Sequence, residues 1–188
     1  MEVPYVTCGL TPDEAHKKVA GFIMDRYDGR GGVTVYAKEE HVGSARFYGR
    51  TRLYGERADT AECFYTEPDI LIERDGKICT VIEIDSATSN VVELAGKAMT
   101  PVLSSRSQPQ GRSIPLSDDL HMVQIVCMIP TGDSFNNWEC RFRSLEDDIA
   151  AAYRSMSPGK RYSLILPVKR RDETVEKVLA NVLENKIW

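Results

Sequence analysis

The stretch Asp69-Ile70-Leu71-Ile72-Glu73-Arg74-Asp75-Gly76-Lys77-Ile78-Cys79-Thr80-Val81-Ile82-Glu83-Ile84-Asp85 decides the fold. Its centre, Asp75-Gly76, is a hairpin signal, because a tight turn between strands needs residues that tolerate positive φ. The flanks are rich in Ile and Val and read as paired strands, 69–73 and 78–85. The run Val81-Ile82-Glu83-Ile84-Asp85 suggests a central, well-buried position for the second strand. Asp69 and Glu83 bracket the hairpin. Folding about Asp75-Gly76 brings their strand ends together, since antiparallel partners lie about 5 Å apart.

Outward from the hairpin, the spacing of Ala15, Val19, Phe22 and Ile23 predicts a helix over 12–27. Thr11 and Glu14 make a capping box, and Pro12 suits the first helical position. Residues 32–37 read as a strand. Segment 43–64 mixes arginines with Phe47, Tyr48, Leu53 and Tyr54 and fits either a strand or an irregular excursion. After the hairpin, the polar Ser86–Ser89 stretch opens a helix over 90–99, which Pro101 stops or bends. Residues 104–119, rich in Ser, Gln, Pro and Arg, read as an exposed loop with the composition of disorder. A strand over 121–129, a helix from the cap Ser144 to Ser155, and a strand over 162–168 follow. Val175, Val178, Leu179, Val182 and Leu183 mark a last helix. The expected architecture is a single α/β domain over 1–188, with a mixed central sheet flanked by helices.

Composition narrows the function classes. The chain has 188 residues, of which 42% are hydrophobic and 28% charged, with a net charge of −4. One core is expected. No stretch of eighteen apolar residues offers a membrane span, and the N-terminus lacks the features of a signal peptide, so the expectation is a cytoplasmic protein without membrane contact. The five cysteines, Cys8, Cys63, Cys79, Cys127 and Cys140, contain no CxxC pair and read as reduced thiols. His16, His41 and His121 are scattered without metal-ligand spacing. No phosphate-binding glycine loop or GxSxG elbow is present. The net charge gives no global signal for nucleic acid, but Arg46, Arg50, Arg52 and Arg57 crowd one segment and can contact phosphates locally.

Two close carboxylates repel each other and raise a pKa, and a divalent cation removes that cost. Mg²⁺ is typically held by one or two carboxylates together with substrate phosphate oxygens. Pro68-Asp69, with Glu83-Ile84-Asp85 downstream, resembles the PD-(D/E)xK signature of the restriction-endonuclease-like nucleases. The helix before the motif, and the helix and strand after it, fit that superfamily's α-β-β-β-α-β core over about residues 11–130. The resemblance implies a Mg²⁺- or Mn²⁺-dependent nuclease acting on nucleic acid, with DNA expected. Asp69, Glu83 and the Ile84 carbonyl would be its metal ligands, and Glu14 would match an acidic residue on the first helix of some members. Many such nucleases act as homodimers, and nothing in the sequence marks a dimer face.

One position departs from the pattern. Asp85 stands where the signature has lysine. Three explanations compete: Asp85 is a further metal ligand; Lys97, about two turns into the next helix, does the lysine's work; or the domain is a non-catalytic DNA-binding or assembly module. Residue by residue there are plainer alternatives. Glu83 can be a structural ion-pair partner of Lys77 or an arginine, and Lys97 an ordinary surface partner of Glu93. A small α/β interaction protein with purely structural carboxylates is the third function class.

Overall fold

The computed structural model describes residues 12–44, 47, 49–57, 63–85, 91–126 and 134–165. Helix α1 (Pro12–Tyr27) has the expected bounds. It buries Val19, Ala20, Ile23, Met24 and Tyr27, an apolar stripe at helical spacing. β1 (Val33–Ala37), the short α2 (Glu39–Val42), β2 (Leu53–Tyr54) and β3 (Phe64–Thr66) follow. The hairpin comes next, with β4 (Ile70–Arg74) and β5 (Lys77–Asp85). Asp75 and Gly76 take φ of 53° and 76°, the left-handed values that let a two-residue turn follow the twist of its strands. The remaining elements are α3 (Val91–Leu103), β6 (Arg106–Ser107), β7 (Ile114–Val126), α4 (Ser134–Met156) and β8 (Arg161–Ile165).

The chain forms a mixed α/β fold with a central sheet flanked by helices. β1, β4, β5 and β7 lie side by side, and β8 also pairs with β7. The β1–β4 and β4–β5 pairings are antiparallel, whereas β5–β7 and β7–β8 are parallel. Parallel neighbours need a crossover; α3 makes the first and α4 the second. β6, β2 and β3 form an antiparallel extension on the first residues of β7. Apart from this extension and α2, the run to β7 is the expected α-β-β-β-α-β. Among the described residues, no helix is long and apolar enough to cross a membrane.

The sheet buries both faces. Ile70, Ile72, Ile82, Ile84, Val123 and Ile125 pack with α1. Leu71, Val81, Met122 and Val126 pack with Leu94 and Ala98 of α3 and Phe142, Ile149 and Tyr153 of α4. This two-sided burial explains the nearly continuous apolar run of β5.

Four sequence expectations are corrected. Residues 104–119 are no open loop, since they carry β6, a 3-10 turn at Pro109–Gly111 and the start of β7. The buried serines of this stretch bond back to the protein: Ser104 donates to the Thr100 carbonyl at 2.9 Å, and Ser107, fully buried, to the Arg52 carbonyl at 2.8 Å. β7 therefore begins at Ile114 rather than 121. Ser144 does not cap α4, which starts at Ser134, ahead of it. α3 runs on to Leu103 instead of ending near 99, so of the two alternatives at Pro101, a stop or a bend, the stop is excluded. The C-terminal helix and the ends of the strands over 121–129 and 162–168 lie outside the described residues, as do Thr11, Cys8 and Cys127. Cys79 and Cys140 are free thiols.

Candidate metal and acid site

Tyr36, Leu71, Val81, Met122 and Tyr162 are register partners in one apolar row across β1, β4, β5, β7 and β8. Because side chains alternate, the residues two positions along point to the same face. There the row becomes Lys38, Asp69, Glu83 and Gln124. Glu83 is paired with Gln124, and the Lys38 N–H donates to the Asp69 carbonyl at 3.3 Å. The Ile70–Ile82 pairing, continued by one residue, sets Asp69 opposite Glu83. The two acidic residues therefore share a face and a strand end.

Asp69 is 3% exposed. One carboxylate oxygen accepts from Lys38 Nζ at 2.8 Å, and the other from the Ile84 N–H at 2.8 Å. His16 Nε2, from α1 on the opposite face, lies 3.5 Å from that second oxygen. Burial raises the pKa of Asp69, but His16, Lys38 and the Ile84 N–H outweigh it and hold the carboxyl well below its usual range. Glu83, also 3% exposed, goes the other way. Burial and the facing Asp69 carboxylate raise it well above the ordinary value, against the pull of Lys97 and Lys38. The two carboxyls are thus pushed in opposite directions, Asp69 toward ionisation and Glu83 against it. Lys77, a sequence candidate for pairing with Glu83, sits at the far end of β5 and meets Asp118 at 3.8 Å.

Asp85 and Lys97 entered as rival candidates, and they touch. Lys97 Nζ lies 2.5 Å from one Asp85 oxygen and 3.9 Å from Glu93. Its helix-surface pair with Glu93 exists, but the inward partner is nearer. Asp85 and Glu83 together raise the Lys97 pKa against the effect of burial, so the ammonium stays charged.

His16 and His41 supply what the sequence spacing did not reveal. Ligand atoms of His16, His41 and Asp69 all lie within 4.8 Å of one another. The two imidazole rings are 4.6 Å apart. Burial holds His41 below its ordinary pKa, in the neutral form a metal ligand requires. The sequence signal was poor because α1, which carries His16, and α2, which carries His41, meet only in the folded chain. Glu14, the residue matched on the first helix, is exposed, and His16 instead faces the acids. Two imidazoles and one carboxylate make a donor set suited to a borderline divalent cation.

The arginine segment approaches this strand end from the β2–β3–β6 extension. Thr51 Oγ, fully buried, donates to the Pro68 carbonyl next to Asp69. Arg52 pairs with Glu67 at 3.3 Å and stacks over Phe64 at 4.2 Å. Arg50 and Arg57 are exposed, and Arg46 lies outside the described residues. A second cluster shares the face farther from the acids. The Tyr36 hydroxyl donates to Glu73 at 2.6 Å, and Arg112 donates to both. Burial and Glu73 push the tyrosine up to about 12, and the cluster fastens the start of β7 to β1 and β4. Compared with protein-family models, curated proteins and solved structures, the chain matches none.

Proposed function

We propose that this chain is a metal-dependent nuclease of the PD-(D/E)xK type that hydrolyses phosphodiester bonds of nucleic acid, with DNA the first substrate to test. The observation that carries this reading is the opposition of Asp69 and Glu83 at one buried strand end, where burial and the Asp69 carboxylate raise the pKa of Glu83. A buried carboxylate in that state is stabilised when a cation takes the proton's place. Asp69 and Glu83, with the Ile84 carbonyl, would hold Mg²⁺ or Mn²⁺, and His16 and His41 weigh the balance toward Mn²⁺. When bound, the ion would polarise the phosphodiester and lower the pKa of water. Lys97, kept charged at the edge of the acids, takes the part of the signature's lysine by orienting the nucleophile and balancing charge. Arg50, Arg52 and Arg57 would meet the backbone phosphates. The test is cleavage of single- and double-stranded DNA and RNA with Mg²⁺ or Mn²⁺, beside Asp69→Ala and Glu83→Ala. Abolished activity in both variants is expected. Absence of cleavage by the unaltered protein, together with no cation bound in calorimetry, would refute the proposal.

A second reading is a nuclease-like DNA-binding or assembly module without catalysis. The Lys38 ammonium favours it, since at 2.8 Å it already neutralises Asp69. In that case DNA binding survives Asp69→Ala and needs no metal.

A further inference from the structure

The short Lys97–Asp85 contact is only as fixed as Asp85 itself. Lys97 sits between an exposed partner, Glu93, and a buried one, Asp85. Its ammonium stays inward only while the Asp85 carboxylate is aimed at it. The second oxygen of Asp85 accepts from Gln124 Nε2 at 2.8 Å. The same amide nitrogen donates to the Leu94 carbonyl at 3.3 Å, so Gln124 ties β5 to the helix that carries Lys97. An amide can face either way round, and here its direction is set by the two acceptors its NH₂ meets, while its oxygen is held from behind. The Tyr162 hydroxyl donates to Gln124 Oε1 at 2.8 Å. Reversing the amide would turn its carbonyl oxygen toward the Asp85 carboxylate and the Leu94 carbonyl, two acceptors with no proton to give, and both contacts would repel. Burial holds the tyrosine in its protonated, donating form. Gln124 is fully buried and Asp85 nearly so, and a satisfied network shielded from water has little freedom to rearrange.

We infer that Gln124 and Tyr162 are positioning residues, which act through Asp85 to hold the Lys97 ammonium inward beside Glu83. The chain of contacts runs from β8 through β7 and β5 to α3. It gives Asp85 a part other than metal ligand: the carboxylate at the signature's lysine position anchors a lysine that reaches it from the next helix. The structural half of this inference stands without catalysis; its effect on turnover rests on the proposed nuclease reading.

Two measurements test it. The first is competitive acetylation of the full chain with an N-hydroxysuccinimide ester, read by mass spectrometry at Lys97 against the exposed Lys77 within the same molecule. Gln124→Met and Tyr162→Phe should each raise Lys97 labelling several-fold, because the ammonium is released toward Glu93 and solvent. The second is a double-mutant cycle on metal-dependent cleavage. Gln124→Met should lower kcat about tenfold to a hundredfold with KM unchanged, as for a displaced catalytic group. In a Lys97→Ala background the same substitution should cost nothing further. A merely structural glutamine would give equal losses in both backgrounds, and that result overturns the inference. Unchanged Lys97 labelling in folded Gln124→Met overturns it as well. If Gln124→Met fails to fold, Tyr162→Phe, which removes one hydroxyl, carries both measurements. Raised labelling alongside an unaltered protein that cleaves nothing would uphold the positioning and defeat the nuclease reading alone.

Discussion

Replacing Glu83 by glutamine should remove a pH dependence of stability that the metal-free protein carries. Glu83 is buried opposite Asp69 and has a folded-state pKa well above its ordinary 4.5. The unfolded chain releases that proton at about the ordinary value. Between 4.5 and the folded pKa, the native state therefore holds one more proton than the unfolded state. Linkage then requires stability to fall by about 1.4 kcal/mol for each unit of rising pH in that window. Asp69, whose pKa is lowered, acts only below its ordinary 3.8, where falling pH costs stability. His41, lowered by burial, works in the opposite sense below 6.5. The useful quantity is thus the difference between the unaltered protein and Glu83→Gln. Urea unfolding in chelator at half-unit steps from pH 5 upward should give Glu83→Gln a growing advantage as pH rises. In Mn²⁺ that advantage should vanish or reverse, because the ion compensates the carboxylate and the amide is the poorer ligand. Parallel stability profiles for the two proteins in chelator would refute the reasoning.

Other expectations follow from the same geometry. His16→Ala should weaken Mn²⁺ binding by about tenfold or more, ~1.4 kcal/mol, and Mg²⁺ binding less; titration calorimetry with each ion checks the difference. Leu94→Ala, at a fully buried contact of α3, should cost about 2–5 kcal/mol in urea unfolding. If Arg50, Arg52 and Arg57 meet phosphates, replacing all three with alanine should reduce the slope of log affinity against log salt by roughly one for each lost contact. An unaltered slope would remove this patch from the interface.

The parts legible in the sequence were those whose chemistry is local. The 69–85 hairpin is fixed by a turn that needs positive φ and by the Ile- and Val-rich runs on either side of it. α1 matched the expected bounds because a proline and an apolar stripe define it. α4 was read ten residues too short from Ser144, a good cap by composition. Phe142, buried one helical step ahead of Leu145 and Ile149, was the signal that the helix had already begun. β6 was lost because it is two polar residues long and one of its two partner strands, Leu53–Tyr54, lies some fifty residues away. At the site, Asp69 and Glu83 were legible through the turn between them. His16 and His41 were not, since no fixed spacing joins residues on two helices separated by a strand. Asp85 and Lys97 were both picked out, but as competitors, and only the distance between them joins them into one unit.

The polar row across the sheet has a further effect on how the chain can pair with itself. Slipping β5 by one residue against β4 would turn Glu83 and Asp85 onto the face filled by Val19, Ile23 and Met24 of α1. There the two carboxylates would meet aliphatic carbon, away from Lys97 and Gln124. Such unpaired buried charge costs several kcal/mol per ion. The acids beside the strand ends thus penalise misaligned hairpins while the chain is still folding. A variant stripped of them for the sake of stability would lose a safeguard against mispaired and aggregating forms, even where its native state became the more stable.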